Sequence, residues 1–234
     1  MLAWLFRPQC AACAAPADSP LCARCAMSLV ELGAACPRCA QPTGEHAVTC
    51  RRCAREPLPV DRVACAWRFG GELASAIRRL KFTGASHVAR TLAPLWAPLV
   101  AAAVADRREA SPTGDDALVV PVPLHWRRRW RRGYDHAWLL ALHACAIARI
   151  APPLPALRRL RHAPPQSTLA ASERRDNLRG AFAVRPGMTR AIAGRAIVLV
   201  DDVITTGATL AACARPLRDA GATSVIAVAL ARAE

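Results

Sequence analysis

No apolar run in this chain is long enough to cross a bilayer. The longest, Leu92 to Ala105, is shorter than the roughly 20 residues a spanning helix needs and is broken by Pro94 and Pro98. Membrane insertion is therefore not expected. Lysine is almost absent, Lys81 being the single one, and no G-x-x-x-x-G-K-[ST] stretch occurs, which excludes a Walker-type nucleotide loop. The opening M-L-A-W-L-F-R-P-Q-C has no basic segment before its brief apolar patch, and cysteine pairs begin at once. It does not read as a secretory leader, and a cytoplasmic protein is expected. Beyond the cysteine pairs the chain has no internal repeat.

The 234 residues leave room for one ordinary domain and a small appendage, and 53% hydrophobic residues suffice to fill a core. The formal charge of +15 is carried almost wholly by Arg. Two zinc ions held by eight thiolates would lower it by about four and leave the chain basic. Charge by itself is a modest argument for a nucleic-acid partner.

Eight of the eleven cysteines form C-x-x-C pairs: Cys10/Cys13, Cys22/Cys25, Cys36/Cys39 and Cys50/Cys53. A two-residue spacer aims both sulfurs at one metal, and two such knuckles complete a closed tetrahedral shell, so two structural zinc ions are expected. Pairing in chain order gives a double zinc ribbon, and a cross-brace has the same spacing. The residues between the pairs are mostly Ala, Pro and polar, too little for a core, so the metal would supply most of the folding energy. Cys65, Cys145 and Cys213 lie in apolar surroundings and read as small core residues.

This appendage is expected over residues 1–58, with a proline-bearing linker at 54–61 and an α/β domain over 59–234. In the latter, Val63, Cys65, Trp67 and Phe69 alternate as a half-buried strand does, and Leu73, Ala76, Ile77 and Leu80 follow at helical spacing. A proline-kinked helix is expected from Ser86 to Val104 and a strand from Ala117 to Pro123. A basic loop through Gly133 then leads to a helix from Tyr134 to Ile150. Residues 151–180 read as a long loop. The strand from Ile197, a helix to about Ala220, Gly221 as its stop and a strand from Val225 to Leu230 complete a βαβ unit.

Ile197 to Leu210 reads I-V-L-V-D-D-V-I-T-T-G-A-T-L. Four apolar residues suit a strand buried on both faces, and ligands of parallel sheets bind beyond the carboxyl ends of the strands, where Asp201 and Asp202 are expected. Thr205, Thr206, Gly207, Ala208 and Thr209 then form a loop opening a helix. Its free N–H groups, Thr hydroxyls and positive dipole end suit a phosphate. Carboxylates repel phosphate but accept hydrogen bonds strongly, so the acids belong with neutral sugar hydroxyls.

This stretch resembles the phosphoribosyl pyrophosphate (PRPP) motif of type I phosphoribosyltransferases. Further matches extend the resemblance along essentially the whole chain to the ComF family of phosphoribosyltransferase-like proteins. They are the four cysteine pairs, Leu80-Lys81-Phe82-Thr83-Gly84, Val120-Pro121-Val122-Pro123-Leu124, Arg132-Gly133-Tyr134, Pro164-Pro165-Gln166, and Arg174 to Phe182. The resemblance implies a type I phosphoribosyltransferase-like parallel sheet with flanking helices and an N-terminal zinc ribbon. It further implies ribose hydroxyls on Asp201 and Asp202, the 5′-phosphate on Thr205 to Thr209, and Mg²⁺ arriving with PRPP. The loop after Pro123 corresponds to the pyrophosphate loop and residues about 162–180 to a hood, so Arg127, Arg131, Arg132, Gly133, Arg174 and Arg175 are the candidates for the diphosphate. Asp135-His136 stands where the family commonly carries Asn-Gln.

Two functions are compatible with these parts. By resemblance, the chain is a PRPP-binding protein of DNA uptake or single-stranded DNA handling, with DNA and DNA-uptake proteins as partners. Alternatively, it is an active phosphoribosyltransferase whose acceptor and general base are not legible. Trp126, Arg128, Arg129 and Trp130 are the candidate nucleic-acid contacts. Yet Trp residues four apart more commonly pack against their own domain, and that is the expectation here.

Overall fold

The computed structural model describes residues 8–109, 117–161, 178 and 180–233. Four parallel strands make the central sheet: β1 (Arg62–Arg68), β2 (Leu118–Pro121), β5 (Ala196–Ile204) and β6 (Ser224–Arg232), in the order β1-β6-β5-β2. Two short strands, β3 (Leu157–Arg159) and β4 (Phe182–Val184), pair antiparallel beside it.

The sheet is buried on both faces, and alternate residues of β5 divide the core between them. Val198 and Val200, with Ile226 and Val228 of β6, meet α3 (Gly71–Phe82), α4 (His87–Leu92), α5 (Ala97–Glu109) and α7 (His136–Ala148) through Leu73, Ile77, Leu92, Val100 and Leu140. Ile197 and Leu199 face the other way, onto Leu157, Phe182, Ile192 of α8 (Thr189–Ile192) and Leu210 and Leu217 of α9 (Ala208–Asp219). Each fully buried Leu or Ile stabilises by about 1.5–3 kcal/mol, enough in sum to offset ordering of the chain. The proline-rich helix breaks as expected: a 3-10 turn, Ala93–Leu95, separates α4 from α5, and the two limbs meet at 62°. Among the described residues no single helix is long and apolar enough to cross a membrane.

Connectivity positions the site. The chain leaves β2 toward α7 on one face and leaves its neighbour β5 toward α9 on the other. A crevice therefore opens between their carboxyl ends, where α/β sheets bind ligands.

Two expectations need correcting. The stretch after His125 is not a loop but a two-turn helix, α6 (Trp126–Arg132). Arg favours helix, the His125 ring accepts from the Arg127 amide, and Gly133 ends the helix in the left-handed region at φ 81°. In addition, β5 does not stop before its acids. It runs on to Ile204, because Asp201, Val203 and Ile204 continue the pairing with Ala229, Ala231 and Arg232 of β6.

The N-terminal region lies along the edge of β1. Leu32 donates to Ala66, and Arg68 donates to Val30, extending the sheet by a short antiparallel contact. The expected core cysteines are in place: Cys145 and Cys213 are fully buried and Cys65 half so, with burial pushing the Cys145 thiol up to about 11 and Cys65 to about 12.

Candidate functional site

The cysteines assemble in chain order. Cys10, Cys13, Cys22 and Cys25 form one cluster, Cys36, Cys39, Cys50 and Cys53 the other, with the sulfurs of each set within 4.8 Å of one another. The cross-brace is thereby excluded. Four sulfurs about 2.3 Å from one zinc ion stand about 3.8 Å apart, and Cys13–Cys22 at 3.8 Å and Cys39–Cys50 at 3.7 Å match that spacing. The donor set fits structural zinc and leaves no open coordination position. Both halves are built alike. In each, the amide four residues after the first cysteine, Ala14 or Ala40, bonds back to it, and that alanine is left-handed. A short helix, α1 (Ala23–Ala26) or α2 (Arg51–Arg55), then follows the third cysteine.

Successive side chains of an extended strand point to opposite faces, so the continuation of β5 separates its acids. Asp202, 3% exposed, points toward α3 and α7. Its Oδ2 lies 2.7 Å from Lys81 Nζ and 3.2 Å from His136 Nε2. Arg132 Nη1 lies 3.1 Å from the other imidazole nitrogen, Nδ1. Guanidinium can only donate, so Nδ1 is the acceptor and Nε2–H points at Asp202. Burial alone would raise the Asp202 pKa, but Lys81 and then His136 overcome it and hold the carboxylate well below its usual range. Asp201 faces the side of Leu199 and Cys213 and accepts from the Asp202 amide at 2.9 Å. Burial, and then the Asp202 charge, push its pKa up to about 8.

Beyond Ile204 the strand yields to Thr205-Thr206-Gly207. Gly207, at φ 79°, precedes α9, and the Thr206 hydroxyl accepts from the Ala208 amide at 3.3 Å. A side chain at 207 would be strained in its backbone and would also lie 2.6 Å from Leu58 Cδ1. Arg52 Nη1 donates to the Thr206 carbonyl at 3.0 Å. The loop is thus held from the second cysteine cluster, two contacts invisible to local spacing because Arg52 and Thr206 stand 154 positions apart.

On the β2 side, Asp135 accepts from the Leu124 amide at 2.9 Å and caps α7 through Trp138 at 3.3 Å, pinning both ends of α6. No side chain of α6 is buried. Trp126 is 63% and Trp130 86% exposed, which overturns the expectation that they pack against their own domain. Arg127 stacks on Trp126 at 5.2 Å and Arg132 on the exposed Phe82 ring at 4.9 Å. Partial burial, and then the Arg128 charge, lower the Arg132 pKa. A cavity of about 430 Å³ lies beside these elements, lined by Pro121, Arg129, Tyr134, Trp138, Leu157 and Arg185.

Arg127, Arg131, Arg132 and Gly133 thus share one short segment facing the end of β2, whereas Arg174 and Arg175 lie outside the described residues. Sequence reasoning missed Lys81 and His136 as partners of Asp202. The L-K-F-T-G motif marked Lys81 without giving it a role, and His136 was read only as a departure from the family pattern.

A parallel α/β sheet with acids and a glycine loop at its switch point, carrying paired tetracysteine knuckles, defines a phosphoribosyltransferase-like protein with a double zinc ribbon. Family comparison agrees: residues 146–234 match the phosphoribosyl transferase domain and residues 1–65 the double zinc ribbon domain. The chain is 34% identical over 173 residues to Competence protein F of Haemophilus influenzae, covering 74% of this chain and 73% of that protein. It is 33% identical over 171 residues to DNA utilization protein YhgH of Escherichia coli strain K12, covering 73% and 72%. The chain belongs to the ComF family of competence and DNA-utilization proteins.

Proposed function

We propose that the crevice binds PRPP and that the chain uses this site in the uptake or utilization of single-stranded DNA. The observation that carries the reading is the close succession, at and just beyond the end of β5, of paired acids with Asp202 set against Lys81, a left-handed glycine, and the start of a 12-residue helix. The 5′-phosphate sits on Thr205 to Thr209, and the ribose hydroxyls on Asp201 and Asp202. The diphosphate lies toward Arg127, Arg131, Arg132 and Gly133. Asp202 balances Lys81 at 2.7 Å. A diphosphate would take over that cation and free the carboxylate for a sugar hydroxyl.

Mg²⁺ bound with the diphosphate supplies charge neutralisation. Asp201, a part-exposed carboxylate near the carboxyl end of β5, is the hard oxygen donor that would suit such an ion. PRPP with Mg²⁺ is expected to raise the melting temperature, and Asp201→Asn with Asp202→Asn to abolish the rise; an undiminished rise in the double variant overturns the ribose assignment.

The names of the relatives, a basic helix and two exposed Trp support DNA as partner, bases stacking on Trp126 and Trp130 while Arg128 and Arg129 follow phosphates. DNA-uptake proteins are the corresponding protein partners, and the cytoplasm the corresponding compartment. Trp126→Ala with Trp130→Ala should weaken single-stranded DNA binding by about 1–3 kcal/mol per stacked base. Affinity should also fall steeply with salt. Salt-independent binding, or binding indifferent to both Trp, would remove α6 from the interface.

One observation favours a second reading, transfer of the phosphoribosyl group: the cavity beside β2 has room for a base-sized acceptor between Trp138, Arg129 and Arg185. Pyrophosphate release from PRPP on adding an acceptor would establish turnover. Its absence with nucleobases, amines and DNA would leave a binder.

A further inference from the structure

The two cysteine clusters have the same chemistry but different neighbours. The first rests on α3, where Arg79 Nη1 donates to the carbonyls of Cys10 and Ala11 at 3.0 and 2.8 Å. The second lies against the Thr205–Thr209 loop. Arg52, one residue before Cys53, donates to the Thr206 carbonyl. Leu58 packs at once on the Cys36/Cys39/Cys53 cluster and on Gly207. Buried Arg232 spans the same joint, donating from Nη2 to Gln41 Oε1 at 2.7 Å and from Nη1 to the Ile204 carbonyl at 3.3 Å. Three separate ties therefore join the second ribbon half to the end of β5 and its loop.

We propose that the second knuckle is the clamp of the anion loop, acting through Arg52 and Leu58, so that zinc at Cys36, Cys39, Cys50 and Cys53 and phosphate at Thr205–Thr209 reinforce each other. The inference rests on the PRPP reading of that loop. Its physical basis is that an anion nest binds well only when its amides are already aimed. Here the aim is fixed at Thr206 by a guanidinium and at Gly207 by an apolar wedge. Arg52 and Leu58 are positioning residues, and neither has to touch the ligand.

Reciprocity follows: whatever factor zinc adds to phosphate affinity, phosphate adds to zinc affinity. The test titrates the full zinc-loaded chain with ribose 5-phosphate and, separately, with inorganic pyrophosphate. Arg52→Ala and Leu58→Ala are each expected to weaken ribose 5-phosphate about tenfold, with zinc content and pyrophosphate affinity unchanged and with Arg52→Lys restoring most of the loss. In a Cys13→Ser chain, whose remaining zinc sits in the second knuckle, ribose 5-phosphate should slow chelator-driven zinc release, and Arg52→Ala should remove that protection. If the unaltered chain fails to bind ribose 5-phosphate, the PRPP reading falls and takes the clamp with it. If it binds, yet both variants bind equally well and zinc release ignores the ligand, the clamp alone is overturned.

Discussion

The two halves of the zinc ribbon share two C-x-x-C pairs, a left-handed alanine turn and a short helix, and they differ in what they hold. One half accepts through its Cys10 and Ala11 carbonyls from Arg79 on a core helix, whereas the other extends Arg52 and Leu58 to a loop that must stay poised without a side chain of its own at Gly207. A repeated metal module can thus carry two duties, set by the residues between and after its cysteines. The metal chemistry itself is the same in both.

The largest way to break this comparison is to remove one metal at a time. Cys13→Ser and Cys53→Ser should each lose one of two zinc ions, in a fold where such an ion contributes on the order of 10 kcal/mol. Elemental analysis checks the loss, and calorimetry should find ribose 5-phosphate affinity reduced at least about tenfold only in Cys53→Ser. Equal reductions would erase the distinction between the halves.

A control comes from the far face of β5. Asp202→Asn leaves Lys81 without its counter-charge and should cost about 3 kcal/mol in denaturant unfolding without changing zinc content. Because the native pKa of Asp202 is depressed, its contribution is present above the unfolded value near 4 and is lost as pH falls below it.

Asp201 has the opposite sign. Its native pKa of about 8 exceeds the unfolded value, so the native state holds the extra proton between about pH 4 and 8, and stability falls as pH rises through that window. Asp201→Asn should therefore gain several °C over the unaltered chain on going from pH 5 to 8.5, at roughly 2–4 °C per kcal/mol of the linkage. A constant difference between the two melting temperatures would refute the shift.

The smallest effect tests the likeness of the halves. Ala14 and Ala40 have φ of 63° and 57°, so Gly at either should stabilise by about 0.5 kcal/mol after the entropy that Gly costs. Unequal gains would show that the two turns are not equivalent.

The sequence made the metal ligands, the sheet and the loop legible because each is written in local spacing: C-x-x-C, an unbroken apolar strand, and glycine before a helix. It left metal pairing open, since both pairings use the same intervals. The end of β5 was misjudged because acids look like a strand terminus, while pairing with Ala229 to Arg232 decides where the strand stops. The helical state of α6 is masked by its charge, and the local signals that mark it are the cap at His125 and the stop at Gly133. Lys81, His136, Arg52 and Leu58 acquire roles only through contacts between distant parts of the chain, which spacing cannot report.

The antiparallel contact that Val30 and Leu32 make along β1 has a bearing on handling. An open sheet margin invites other molecules to add strands, and here the ribbon seals that margin. Stripping the metal would unseal it, so chelated protein should turn cloudy at concentrations where the loaded protein stays clear, and a clear solution would mean the seal holds without zinc.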